Sequence, residues 1–408
     1  MDRNVKGDSM GFLQHVLSSV KKQMATLSLK PPGICPTQIG NPTFAHKRWL
    51  HFSARIQRPP STLLFHIQFD ALVKRFVVLC DGTQGNSNHT ITHFIILGFP
   101  SLQKLQLLLF FVGLIIYLMT LSGHIVIITI VHLDLRLHTP MYFFLSNFSF
   151  LEIWYTSNII PKMLQIFPAT DRSISYASCI AQLYFFITLG TAECFILAIM
   201  AYDRYLAICN PLRYPILMNS RVCVWLAICS WVGAFVVNVP PLVSLCKLPF
   251  CGPNEINHFF CDAPPLLKLS CRDPREAETV NFIMATSVIV SSFLLILVSY
   301  VLIIVTILKI PSAPGCRKAF STCGSHLAVV AIFYGTLMFM YVRPTSSYSN
   351  DSVNFSKLVS MFYTVVTPML NPIIYCLRNK EVKEALRKAV MGRCVLLPKA
   401  GSISNGGW

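Results

Sequence analysis

Charge is what this chain has least of. Asp, Glu, Lys and Arg together supply 12% of its 408 residues, against roughly 25% in soluble domains. Of the two signs the acidic is the scarcer: 17 Asp plus Glu, beside 34 Lys plus Arg, for a formal charge of +17. With 54% hydrophobic residues and a mean hydropathy of +0.57, the soluble, collagen-like and disordered classes are all excluded. Other things are missing too. The 15 cysteines show no zinc spacing, so a structural metal module is not expected. No nucleophile–base or metal constellation is visible, which leaves an enzyme reading without chemistry. A transporter would want paired broken helices or repeated halves, and no such internal repeat is visible. A polytopic, all-α membrane protein remains.

What the chain does have is long apolar runs. A spanning helix needs about 20 mostly apolar residues. Seven stretches meet that length, at about 105–131, 141–166, 179–206, 222–246, 279–308, 320–341 and 355–377. Basic residues near span ends set orientation. With the C-terminus in the cytoplasm, that side carries 14 Lys and Arg, against 9 outside beyond residue 80. An odd number of spans then places the N-terminus outside, in the plasma membrane. The sequon at Asn88, followed by His89 and Thr90, lies on the outer side and is expected to carry a glycan. Residues 1–85 read as an atypical basic extension, expected to be disordered, with no secretory apolar core near Met1. The surplus of positive charge is expected to meet lipid head groups or acidic partners, not nucleic acid.

The loop between the fourth and fifth spans carries Cys251, Cys261 and Cys271 at even spacing, and Cys179 opens the third span on the same oxidising face. Four thiols allow three connectivities. A Cys179–Cys261 bond would hold the middle of the loop over the third span and leave Cys251–Cys271 to close a local loop. Free or differently paired thiols stay open.

Four blocks of residues identify a resemblance. They are His138-Thr139-Pro140-Met141-Tyr142-Phe143-Phe144-Leu145 and Met200-Ala201-Tyr202-Asp203-Arg204-Tyr205, then Lys318-Ala319-Phe320-Ser321-Thr322-Cys323 with Ser325-His326-Leu327, and Pro368-Met369-Leu370-Asn371-Pro372-Ile373-Ile374-Tyr375. In this order, and in these spans, they resemble the odorant receptors of the rhodopsin-like G-protein-coupled class, over residues from about 86 to 394. The resemblance implies a seven-transmembrane helix bundle that binds a small volatile odorant and activates a stimulatory, olfactory-type heterotrimeric G protein to raise cyclic AMP. A non-olfactory or signalling-impaired chemoreceptor is the alternative.

Residue roles follow from the same likeness. Asp203 and Arg204 would form the inner latch, with Tyr205, Tyr300, Lys318, Asn371, Pro372 and Tyr375 taking part in coupling and activation. Glu152 and Glu193 are ionisable groups inside spans, which are costly and point to function. With Asn371 they would line a cavity for a sodium ion or a shared proton, or else a structural hydrogen-bond network. No other cofactor is expected. His124 stands where the family carries Asn, an amide that bridges the first, second and seventh spans.

In the outer half, Phe186, Ile187, Gly190 and Thr191 share a helical face by spacing. Met284 and Val288 in the fifth span and Tyr334, Leu337 and Tyr341 in the sixth match family positions around the same cavity. The lining is aromatic and aliphatic with few hydroxyls, suited to a largely apolar molecule. Beyond the last span, 379–390 reads as a short amphipathic cytoplasmic helix, with Val382, Leu386, Ala389 and Val390 as its apolar stripe and lysines facing lipid. Cys394 is a candidate for palmitoylation, and 395–408 is a tail.

Overall fold

Helices start where the sequence offers a cap. Ser175 accepts from the Ser178 amide at 3.2 Å, Asn219 from that of Val222 at 3.1 Å, and Thr139 is followed by proline at the first helical position. The computed structural model describes residues 91–168, 171–251, 253–309, 313–341 and 350–396. Asn88 and the rest of the N-terminal extension therefore lie outside the described residues.

The principal helices are α1 (Gln106–Leu133), α2 (Pro140–Ile166), α3 (Tyr176–Cys209), α4 (Ser220–Cys246), α5 (Arg275–Leu308) and α6 (Ala313–Tyr341). They are followed by α7, made of Asn350–Met361, a π-helical turn Phe362–Val366 and Thr367–Arg378, and by α8 (Lys380–Leu396). Among the described residues five are long and apolar enough to cross a membrane: α1, α3, α4, α5 and the Phe355–Cys376 part of α7. In α2, Glu152, Lys162 and two asparagines dilute the apolar run, and the apolar stretch of α6 is the shorter Cys323–Met338. The outer faces are greasy. Leu107, Phe111, Ile115 and Leu118 on α1, and Leu294, Leu297, Val298 and Val301 on α5, are exposed. Such continuous apolar faces belong against lipid, where a helix satisfies its own backbone. α3 lies at the centre, with most of its apolar length buried.

Helix boundaries depart from the apolar windows. α5 begins at Arg275, with Glu276 and Glu278 in its first turn, where acidic groups suit the helix dipole. α6 begins at Ala313, ahead of the apolar window. α4 is interrupted at Asn238, because Pro240 and Pro241 withhold two amide donors. Asn238 compensates by donating to the Ala234 carbonyl at 2.8 Å and to Thr191 Oγ1 at 3.0 Å. α8 runs to Leu396, through the expected tail boundary. Val382 and Ala385 are its buried positions, Leu386 is half-buried, and Ala389 is exposed, contrary to the expected stripe.

A small three-stranded sheet caps one end. β1 (His93–Ile96) pairs antiparallel with β2 (Ser173–Ser175) and parallel with β3 (Glu255–Ile256). It joins the segment before α1, the α2–α3 connection and the α4–α5 loop into one lid.

Candidate functional site

The lid is tied to α3 covalently. Cys179 joins Cys261 with a Cα separation of 5.5 Å, and Cys251 joins Cys271 at 5.6 Å. Next to the first bond, Gln182 Oε1 accepts from the Cys261 amide at 3.0 Å, and its Nε2 donates to the Asn158 carbonyl at 2.9 Å. Asn158 returns a bond to the Gln182 carbonyl at 2.9 Å. This clamp between α2, α3 and the lid had no signal in the sequence beyond two polar residues in apolar runs. Below it lies an aromatic layer: His258 stacks on Phe259 at 4.7 Å, and Phe260 meets Phe186 edge-on at 4.9 Å. Burial first, and then the Lys357 cation, push His258 down to about 3, so its ring is neutral.

Under this layer the candidate ligand residues separate. Phe186 packs toward Tyr155 of α2 and Tyr363 of α7. Ile187 turns the other way, into a small apolar recess shared with Leu183, Leu242, Leu245, Leu267 and Asn281, between α3, α4, α5 and the lid. At Gly190 a Cβ would meet nothing within 4 Å, so open space lies beside α3 there. Val288 is buried, while Met284 and Leu337 are half-buried. Two hydroxyls expected to serve a ligand already have partners. Thr191 accepts from Asn238, and Tyr334 donates toward Ser292 Oγ at 2.8 Å and the Cys194 carbonyl at 3.3 Å. The side chain of Tyr341 lies outside the described residues.

A buried polar axis follows. Asn371 of α7 donates its amide to Glu152 Oε1 of α2. Glu193 of α3 is 2% exposed and lies within electrostatic reach of Glu152. Ser149 Oγ, Glu152 Oε2, Glu193 Oε1 and Asn371 Oδ1 are buried and have no hydrogen-bond partner among the described residues. Hard oxygen donors with unused lone pairs fit an alkali ion, a water or a shared proton. No group of three or more His, Cys, Asp and Glu that could hold a metal occurs among the described residues. His124 is fully buried and its Nε2 lies 3.1 Å from the Pro368 carbonyl, so it bridges α1 to α7. Beside it, a Cβ on Gly123 would stand 2.9 Å from the Pro372 ring.

At the far end of α3, Arg204 binds its neighbour Asp203 through two nitrogens, the shorter contact being 2.6 Å. Asp203 is fully buried, and its other oxygen accepts from Tyr214 at 2.8 Å. Tyr300 of α5 lies 2.6 Å from His326 Nδ1 of α6, and both feel the Arg204 charge. The sequence reading missed Tyr214 and the pairing of His326, although His326 stood inside a motif it quoted. Tyr205 is half-buried, with Asn210 Nδ2 3.4 Å from its hydroxyl. Tyr375 is buried against Phe148, and the Lys318 side chain lies outside the described residues.

Apolar helices with lipid-facing sides, a disulfide-bonded lid and a buried polar axis define a multi-pass membrane protein. A family model described as "Olfactory receptor" matches residues 113–393. The chain is 52% identical over 308 residues to human "Olfactory receptor 11L1", covering 76% of this chain and 95% of that protein. It is 51% identical over 302 residues to mouse "Olfactory receptor 6B9" (74% and 95%) and 47% identical over 309 residues to rat "Olfactory receptor 226" (75% and 94%). The chain belongs to the olfactory receptor family, and its function is that of an odorant receptor, a signalling protein.

Proposed function

We propose that all seven helices α1 to α7 cross the plasma membrane, with the lid outside and α8 lying on the cytoplasmic face. Residues 86–394 would form the receptor domain, with 1–85 an extension and 395–408 a tail. The position of the disulfide-bonded lid supports this orientation, because disulfides persist on the oxidising side.

An odorant binds beneath the lid, in the space beside Gly190, among Phe186, Ile187, Thr191, Met284, Val288, Tyr334, Leu337 and Tyr341. Dispersion contacts and few polar anchors keep the affinity modest. The agonist acts by preferring the state open at the cytoplasm. In the resting state Asp203 holds Arg204, Tyr214 steadies Asp203, and the Tyr300–His326 bond holds α5 to α6. Opening at α6, which carries Lys318, frees Arg204 for the C-terminal helix of a stimulatory Gα subunit, and cyclic AMP rises. Glu152, Glu193 and Asn371 would hold a sodium ion or a shared proton, with Pro372 and Tyr375 giving α7 its bending point.

The observation that carries this reading is the buried Asp203 carboxylate, satisfied on one oxygen by Arg204 and on the other by Tyr214. The test is a cyclic-AMP assay against a volatile panel, normalised to surface labelling, with and without residues 1–85. Agonist responses that vanish in Arg204→Ala at normal surface level support the reading. Responses that survive in that variant overturn it.

A further inference from the structure

The outer end of α4 holds a sulfur that the two bonds of the lid do not account for. Cys246, the last residue of that helix, is 3% exposed and is disulfide-bonded. Its partner is none of the other lid cysteines, since Cys179 is joined to Cys261 and Cys251 to Cys271. Cys194, Cys209, Cys223, Cys229, Cys323 and Cys376 are free thiols. Of the 15 cysteines this leaves Cys35, Cys80, Cys316 and Cys394.

Two of these four lie at the wrong end of the bundle. α5 leaves the lid at Arg275 and runs 34 residues, about 50 Å, before α6 begins at Ala313. Cys316 stands in the first turn of α6. Cys394 is on α8, whose Glu381 accepts from Tyr142 at 2.7 Å, near the start of α2 and remote from the lid. A disulfide needs Cα atoms within about 7 Å, so neither residue meets Cys246.

The sheet chooses between the remaining two. β1 and β3 are parallel, with Ile95 opposite Glu255, so the chain enters both strands from the same end. Asn254 fastens that entrance: its Nδ2 donates to the His93 carbonyl at 2.9 Å, and its own carbonyl accepts from the Ile95 amide at 2.8 Å. Cys246 is nine residues ahead of β3 and Cys80 is thirteen ahead of β1, so their segments lead into the sheet side by side. Closing a loop from Cys80 also costs less chain entropy than closing one from Cys35, much further up the chain.

We propose that Cys80 and Cys246 form a third disulfide of the lid, which fastens the N-terminal extension to the outer end of α4. Leu242 and Leu245 of the same short helix line the apolar recess, so the bond steadies one wall of it. The sequon at Asn88 falls between Cys80 and β1, inside the loop that the bond closes. In forming the bond, the two thiol hydrogens and their electrons pass by exchange to the disulfide of a thiol oxidoreductase in the secretory compartment, which leaves as a dithiol. The proposal rests on the reading that the lid faces the oxidising side.

The experiment maps disulfides in the full-length wild-type receptor taken from cell membranes. Free thiols are blocked by alkylation, glycans are removed, and the chain is cut with trypsin without reduction. Cleavage after Lys247 separates Cys246 from Cys251, and fragmentation in the mass spectrometer assigns the linked sulfur. The expected result is a pair of peptides joined through Cys80 and Cys246 that parts only on reduction. Alkylated Cys246, or Cys246 joined to Cys35, overturns the proposal alone if Cys179–Cys261 and Cys251–Cys271 are still found. Absence of all three bonds overturns the sidedness of the lid along with it. Thermal unfolding supplies a second readout. Cys80→Ser and Cys246→Ser should each lower the midpoint, and the double variant should fall no further than the lower single, because both remove the same bond. Cys35→Ser should leave the midpoint unchanged. Losses that add in the double variant overturn the pairing.

Discussion

Tyr214, on the turn after α3, donates its hydroxyl to Asp203 Oδ1 at 2.8 Å while Oδ2 of the same carboxylate holds Arg204. Removing the hydroxyl leaves a buried carboxylate oxygen short of a donor and loosens the latch. Tyr214→Phe should therefore raise basal cyclic AMP roughly fivefold, corresponding to about 1 kcal/mol for one hydrogen bond. The check is basal signal per surface receptor, and a basal level equal to wild type would remove Tyr214 from the latch.

Glu193→Gln keeps the shape of the buried axis and removes one ionisable carboxyl. Basal signalling, or its dependence on sodium concentration, should shift, since two neighbouring carboxyls share their charge unequally. If both readouts match wild type at equal surface expression, the ion or proton role fails.

Gly123 lies where a methyl group would come within 2.9 Å of the Pro372 ring. Gly123→Ala should overpack the α1–α7 contact and cost about 1–3 kcal/mol. Thermal unfolding of the purified receptor measures this, and an unchanged midpoint would show that α7 moves aside freely.

Cys261→Ser opens the bond between the lid and α3. Loss of a native disulfide that closes a long loop costs about 2–5 kcal/mol. Surface labelling should fall more than for Cys251→Ser, which opens only the short local loop. The reverse order would reassign the main fastening of the lid.

His258 is held at about 3, against an ordinary 6.5, by burial and then by the Lys357 cation. The folded lid keeps this ring neutral, while the unfolded lid takes up a proton below about pH 6.5. The stability it contributes is complete above that pH and is lost as pH falls toward 3. Acidification to about pH 5.5 should cost about 1 kcal/mol. His258→Gln should flatten that part of the pH profile of thermal unfolding, and an equally steep profile would rule the residue out.

Much of the architecture could be read directly. The apolar windows fall on the observed helices, five of which are long and apolar enough to cross a membrane among the described residues, because hydrophobic length is a property of local composition. Their ends were less legible. α5 and α6 continue as helix beyond their apolar windows, since backbone hydrogen bonding does not stop where hydropathy does. Phe186 and Ile187 show the limit of spacing arguments. They stand next to each other on α3, yet one packs toward α2 and α7 while the other enters the recess by α4 and α5. The hydroxyls of Thr191 and Tyr334 also bond inside the bundle, to Asn238 and Ser292, partners that spacing along one helix does not reveal.

By itself the sequence determined the class: the length of the apolar runs, the four cysteines of the lid and the ordered motifs of the olfactory receptor family are all written along the chain. Only the tertiary structure decided which polar group meets which. Asn371 finds Glu152 across 219 residues, and Lys357 finds the Gly98 carbonyl across 259. Composition and periodicity act between neighbours in the chain, whereas a buried polar atom must take whatever partner packing brings within about 3 Å.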